Sequence, residues 1–208
     1  MTWKRLEKDD VLTVLDKLGS DENAIVFSKD YTEVVWDELS FYSHFQIYRL
    51  VNYATMPSFT MEYLSNGNAF IPLDGTANPI YAINAEAPIK LTENNIVDYL
   101  TFFFNHVRGG DGEIYLIPDA HTMPFLDSLD EKLQQSIIEH HKPIEIGSNT
   151  VTGEFVVRGT LYYGGCLISA TISVSADGRL AFKERDLLLR GIHFPHSTVN
   201  YYWMGGTS

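Results

Sequence analysis

Phe155-Val-Val-Arg-Gly-Thr-Leu-Tyr-Tyr-Gly-Gly-Cys-Leu-Ile-Ser-Ala-Thr-Ile-Ser-Val-Ser-Ala-Asp-Gly-Arg-Leu-Ala-Phe182 contains two turn signals whose spacing fixes the register of three strands. Gly164-Gly165 suits a two-residue hairpin loop, because both positions need a positive φ. That loop sets Tyr163 opposite Cys166, Leu161 opposite Ile168, Gly159 opposite Ala170 and Val157 opposite Ile172. Every residue in those pairs is apolar or small, so they define one buried face. The other face pairs Thr160 with Ser169, Arg158 with Thr171 and Val156 with Ser173. A two-residue Asp177-Gly178 loop would put Ile172 opposite Lys183 and mix the faces. A three-residue Ala176-Asp177-Gly178 loop puts Val174 opposite Leu180 and Ile172 opposite Phe182. The second is selected, since a slip of one residue exchanges the buried and solvated faces.

Three antiparallel strands with an apolar face need a cover. The segment from Thr92 to Val107 supplies it. Ile96, Leu100, Phe103 and Val107 form a stripe at helical spacing, flanked by Tyr99 and Phe102, and Gly109-Gly110 closes the segment. Thr92 reads as the N-cap and Glu93 suits the helix dipole. The expected fold is α+β: an antiparallel sheet whose C-terminal meander, about 154–186, is covered by a helix at about 93–107, in a single domain over 1–208.

Elsewhere the patterning is weaker. Asp9 or Asp10 can cap a helix carrying Val11, Val14, Leu15 and Leu18, with Gly19 beyond its end. Ala24 to Phe27 reads as a strand. Tyr31 to Phe41 fits a helical face through Val34, Val35, Trp36 and Leu39, while its β-branched pair favours a strand. Phe45 to Tyr53, Phe59 to Leu64, Phe70 to Leu73, Pro79 to Ile83 and Glu113 to Ile117 read as strands. Asp130 to His141 reads as a helix with Leu133, Ile137 and Ile138 inward.

The 208 residues are 45% hydrophobic and 20% charged, a globular composition that excludes disorder for the bulk of the chain. No apolar run approaches the roughly 18 residues of a membrane span. One cysteine excludes a disulfide framework or a CxxC site and fits a reducing compartment. Lys and Arg total 15 against 27 Asp and Glu, a net charge of −12. Nucleic-acid binding needs the opposite balance, and an acidic surface disfavours anionic membranes. The charge serves solubility, or steers a basic partner. The N-terminus meets acidic residues before any apolar stretch, unlike a secretory signal, so the expected location is the cytoplasm. Gly205-Gly-Thr-Ser reads as a frayed end.

The residues that could carry chemistry are few. Cys166 falls on the apolar face with no basic partner in register, so it reads as structural rather than nucleophilic. His140-His141 and His193-Phe-Pro-His196, with Glu139 or Asp186, offer imidazoles, but adjacent histidines point apart and Pro195 breaks helical spacing. No metal site is expected. His106 near the end of the Thr92 helix compensates its dipole. Glu184 and Asp186 would oppose Ala170 and Ile168 if alternation continued, and carboxylates held there would have raised pKa values suited to a general acid. A strand that ends or twists at Lys183 instead leaves both in water, and this is the favoured reading. Arg158, Thr171 and Lys183 lie in a row on the polar face, a pattern that can bind an anion or an acidic partner. Arg108-Gly-Gly-Asp-Gly112 is not a dinucleotide loop, and no P-loop, GxSxG or HExxH exists. No cofactor is expected.

Asp98-Tyr-Leu-Thr-Phe-Phe-Phe-Asn-His-Val-Arg-Gly-Gly-Asp-Gly-Glu113 resembles a helix–turn–strand block in bacterial proteins of unassigned activity. Leu161-Tyr-Tyr-Gly-Gly-Cys-Leu-Ile-Ser-Ala170, followed by Asp177-Gly178, resembles their C-terminal hairpin. The resemblance spans about Leu73 to Leu189 and implies a fold, not a mechanism.

These readings favour a soluble binding or protein-interaction domain that uses an open sheet face or groove. Its partner is a protein or a small molecule, neither nucleic acid nor membrane. The tail Val199-Asn-Tyr-Tyr-Trp-Met204 suits packing across a homodimer or onto its own sheet. The alternatives are a small hydrolase or metal-dependent enzyme built on His193, His196, Glu184 and Asp186, and an apolar-ligand carrier whose cavity is lined by Phe102, Tyr162 and Trp203.

Overall fold

The computed structural model describes residues 2–19, 25–110 and 112–192. The fold is α+β, with four helices and two antiparallel five-stranded sheets. Contacts divide the chain between Leu73 and Asp74 into two compact units.

The first unit runs β1 (Lys4–Arg5), α1 (Lys8–Leu18), β2 (Thr32–Glu38), β3 (Gln46–Asn52), β4 (Phe59–Ser65) and β5 (Phe70–Pro72), with the strands in that spatial order. Val11, Val14 and Leu18 recur at helical spacing on α1, and pack with Val34, Leu50 and Tyr63 of the sheet. Tyr31 to Phe41 resolves as a strand over Thr32–Glu38, because it pairs on both edges, with β1 and with β3. Burying Val34 at 0% exposure between those neighbours favours the β-branched chain that a helix would crowd. Two local expectations are corrected. Ile25 to Phe27 form no strand, and Ala24 lies outside the described residues. The helix also starts earlier than an Asp9 or Asp10 cap implies: Glu7 takes the cap position without a side-chain bond, and both aspartates lie in the first turn, facing the dipole.

The second unit runs α2 (Asn78–Glu86), α3 (Ile96–His106), β6 (Ile114–Ile117), α4 (Glu131–His140), β7 (Glu145–Asn149), β8 (Glu154–Tyr163), β9 (Cys166–Val174) and β10 (Leu180–Arg190). The sheet order is β10-β9-β8-β6, with β7 on the same edge of β8 as β6. Pro79 to Ile83, read above as a strand, is the first part of α2. Pro79 sits in the opening turn, where a missing N–H costs nothing and the fixed φ suits a helix. β7 carries no sequence signal: Glu-Ile-Gly-Ser-Asn has no apolar alternation, and all five residues are exposed.

The turn logic holds through both loops. Tyr163 faces Cys166, Leu161 faces Ile168, Gly159 faces Ala170 and Val157 faces Ile172. Val174 faces Leu180 and Ile172 faces Phe182. The helix begins later than Thr92: Asn95 caps α3, while its amide holds the preceding turn through Thr92 N at 2.7 Å and Lys90 O at 2.8 Å. Seven side chains of α3 are buried, Ile96, Tyr99, Leu100, Phe102, Phe103, Phe104 and His106. Phe104 lies 6.1 Å from Phe182, centroid to centroid.

Tyr99 locks α2 and α3 onto the β9–β10 turn. Its hydroxyl donates to Gly178 O at 2.6 Å and accepts from Asn84 Nδ2 at 3.2 Å, and the same amide donates to Asp177 O at 3.0 Å. Burial raises the pKa of this phenol well above its ordinary value near 10. A folded-state pKa raised above the unfolded one gives stability that is complete below pH 10 and lost as pH rises beyond it. Tyr99→Phe is therefore expected to cost about 1–3 kcal/mol at pH 8. It should also flatten the loss of stability between pH 10 and 11.5, measured by urea unfolding; an unchanged alkaline slope would count against the assignment.

The second face of this sheet departs from the simple picture of one buried and one solvated side. Tyr115, Tyr162 and Leu167 are paired in turn across β6, β8 and β9, so they share the face opposite Leu161. There Ile117 and Leu167 join Met123, Leu126, Leu129, Ile137 and Ile192 in a second core beneath α4. Among the described residues, the part of that face around Arg158 is open.

Candidate functional site

The open part is built by β7, β8, β9 and β10. Beyond Phe182 the β9–β10 ladder shifts by one residue, a bulge at Lys183. Glu184 then pairs with Thr171, Arg185 with Ala170, Asp186 with Ser169 and Leu187 with Ile168. The row across the sheet is Glu145–Arg158–Thr171–Glu184, and Lys183 is displaced from it. Continued alternation would have pushed Glu184 and Asp186 onto the apolar face. The bulge delivers both to the Arg158 face, exposed to water, while the strand continues to Arg190 rather than ending at Lys183.

Thr171, buried within this row, links Arg158 to Glu184. Its hydroxyl accepts from Arg158 Nε at 3.3 Å and donates to Glu184 Oε2 at 3.4 Å. The guanidinium also stands 3.7 Å from Glu145 and 4.0 Å from Glu184. A cation flanked by two carboxylates is a poor receptor for an anion, because a third negative charge must displace them. Asp186 lies further along the same face, opposite Ser169, so the strip carries three carboxylates to the one guanidinium of Arg158. Ion pairs this exposed add little to stability, at most about 1 kcal/mol each.

The remaining sequence candidates are dispersed. His106 is buried, with Nδ1 2.6 Å from Phe102 O and its ring 4.5 Å from the Phe102 ring. His140 Nδ1 lies 2.8 Å from Ser136 O, and His141 Nε2 lies 2.9 Å from Ile117 O. Those bonds tie the two adjacent rings to different carbonyls. His193 and His196 lie outside the described residues, so the His/acid cluster is represented by its two carboxylates alone. Among the described residues no group of three or more His, Cys, Asp or Glu side chains is placed to hold a metal ion. Cys166 is half-buried, opposite Tyr163 and Arg190.

For the carrier alternative, Phe102 rests on His106, and Tyr162 on Tyr115 at 6.1 Å; Trp203 lies outside the described residues. A half-open groove of about 480 Å³ lies elsewhere, floored by buried Ile89 and Phe155 and walled by Lys90, Glu93 and Glu154. Ser148 donates to Glu93 at 2.7 Å across its rim. Neither Phe102 nor Tyr162 lines it.

Comparison of the chain with protein-family models, with curated proteins and with solved structures returns no match. No described helix is long and apolar enough to cross a membrane.

Proposed function

We propose that this chain is a cytoplasmic, non-catalytic binding domain whose partner is a protein with a basic surface. The observation that carries this reading is the acidic strip on the sheet: Glu145 and Glu184 beside Arg158, with Asp186 further along the same face, on a chain with a net charge of −12. Complementary charge speeds encounter and fixes register more than it adds affinity. A sheet face also holds its side chains without the ordering cost of a loop.

The sign of the charge gives the test. Tagged full-length chain is used to purify its complex from the cells that make it, alongside Glu184→Lys and Arg158→Glu. Glu184→Lys is expected to lose a basic partner at unchanged thermal midpoint, and Arg158→Glu to keep it. Loss with Arg158→Glu and retention with Glu184→Lys would make the partner acidic and overturn the proposal. So would purification of the bare chain from all three.

A further inference from the structure

β10 is an 11-residue edge strand that, among the described residues, pairs with β9 alone. Its side chains from Ala181 to Leu187 are exposed, including Phe182 at 38% and Leu187 at 47%. An edge this long is a template for another strand unless something guards it. Two bulges, after Phe182 and after Leu187, limit the regular stretch to Glu184–Leu187.

The order of charges in that stretch decides which strand can pair there. Two copies pairing antiparallel are related by a twofold axis perpendicular to the sheet, which keeps each side chain on its own face. Residues brought opposite one another then differ by an even number of positions. An axis at Glu184 sets Glu184 against Glu184, one at Arg185 sets Glu184 against Asp186 twice, and one at Asp186 sets Asp186 against Asp186. Like charges directly opposed are destabilising. An axis at Leu187 requires the ladder to run through the second bulge. The edge therefore refuses its own copy.

A strand of another chain escapes this constraint. We propose that the Glu184–Leu187 edge of β10 accepts an extended segment of a basic partner, with Lys or Arg opposite Glu184 and Asp186 and an apolar side chain opposite Leu187. Main-chain hydrogen bonds supply the docking and the alternate side chains supply the choice, as in strand addition generally. Arg185 sits 5.3 Å over the Phe182 ring on the other face, so the position between the two basic residues is neutral or acidic. The inference rests on the basic-partner reading and names the element that engages it.

The test titrates full-length protein into two fluorescein-labelled peptides, TVKTRVT and its charge-reversed counterpart TVETDVT, both blocked at their ends, and reads anisotropy. The expected result is saturable binding of the basic peptide, weakened by salt, with the acidic one at least about tenfold weaker. Glu184→Lys/Asp186→Lys should exchange the two preferences. Glu131→Lys/Glu139→Lys, which shifts net charge equally on exposed positions of α4, should leave them in place. Equal binding of both peptides, no binding of the basic peptide, or an effect of the α4 pair as large as that of the β10 pair would overturn the inference. A complex retained by tagged chain and lost with Glu184→Lys, with no peptide response, would leave the acidic strip standing and remove the edge.

Discussion

Gly178→Ala is expected to be the most damaging small substitution in the second unit, costing about 2–6 kcal/mol through backbone strain and overpacking together. Gly178 has φ +78°, and a Cβ there would lie 2.5 Å from Ile89 Cδ1 and 2.6 Å from both Asn84 Nδ2 and the Tyr99 hydroxyl. None of these can retreat cheaply. Ile89, Asn84 and Tyr99 are all buried, and the Tyr99 hydroxyl is held by Gly178 O itself. Gly191 provides the control, with φ +79° and nothing within 4 Å of its Cβ position. Gly191→Ala carries the backbone penalty alone, about 1 kcal/mol. Urea unfolding of the two variants should separate them by a factor of two or more in lost stability. Equal losses would mean that the turn is not clamped between α2 and α3.

The second large effect tests the covered end of the other sheet face. Leu167→Ala is expected to cost about 2–5 kcal/mol, the loss of a fully buried leucine plus the cavity left behind. Leu167 has 0% exposure and packs in the cluster with Ile117, Ile137 and Ile192. Ser169 is the next residue on the same face of β9, paired with Thr160 and Asp186. Ser169→Ala is expected to change stability by less than about 0.5 kcal/mol, as surface substitutions generally do. Thermal unfolding of both variants checks the pair. A small effect at Leu167 would mean that α4 does not seal this end of the sheet.

These particulars show what the amino-acid pattern makes legible. Gly164-Gly165 and Ala176-Asp177-Gly178 set every pair of the β8–β9 and early β9–β10 ladders, because a turn's length and its positive-φ positions fix register locally. α3 was equally legible, since its stripe of large side chains has one period. Pro79 to Ile83 was misread because five residues with apolar ends fit a strand or a helical turn, and only the packing of Ile80 and Ile83, both at 0% exposure, decides for the helix. β7 has no pattern to read. Its pairing is dictated by the free edge of β8.

Most members of the acidic strip are legible in the sequence, but Glu145, on β7, is not, and neither is their arrangement. The turn register pairs Arg158 with Thr171 as the structure does, and the sequence singles out Glu184 and Asp186. The bulge at Lys183 carries no strong signal of its own, yet it exchanges Lys183 for Glu184 in the row. That single exchange turns a candidate anion site into an acidic one. Leu167 shares the face of Thr160, Ser169 and Arg158 but pairs with Tyr162 and Leu189, and the chain crossing from β6 to β8 brings α4 above it.

The acidic strip as a contact surface is tested most directly by a photo-crosslinking amino acid placed at Val156, which is 42% exposed on β8 and shares the face of Arg158. The comparison is the same group at Val151, 92% exposed in the β7–β8 turn. Irradiation in the cells that make the protein, followed by mass spectrometry, should give a discrete adduct with a basic protein from position 156 and not from position 151, and Glu184→Lys should abolish it. The same adducts from both positions, or none from position 156, would contradict the account.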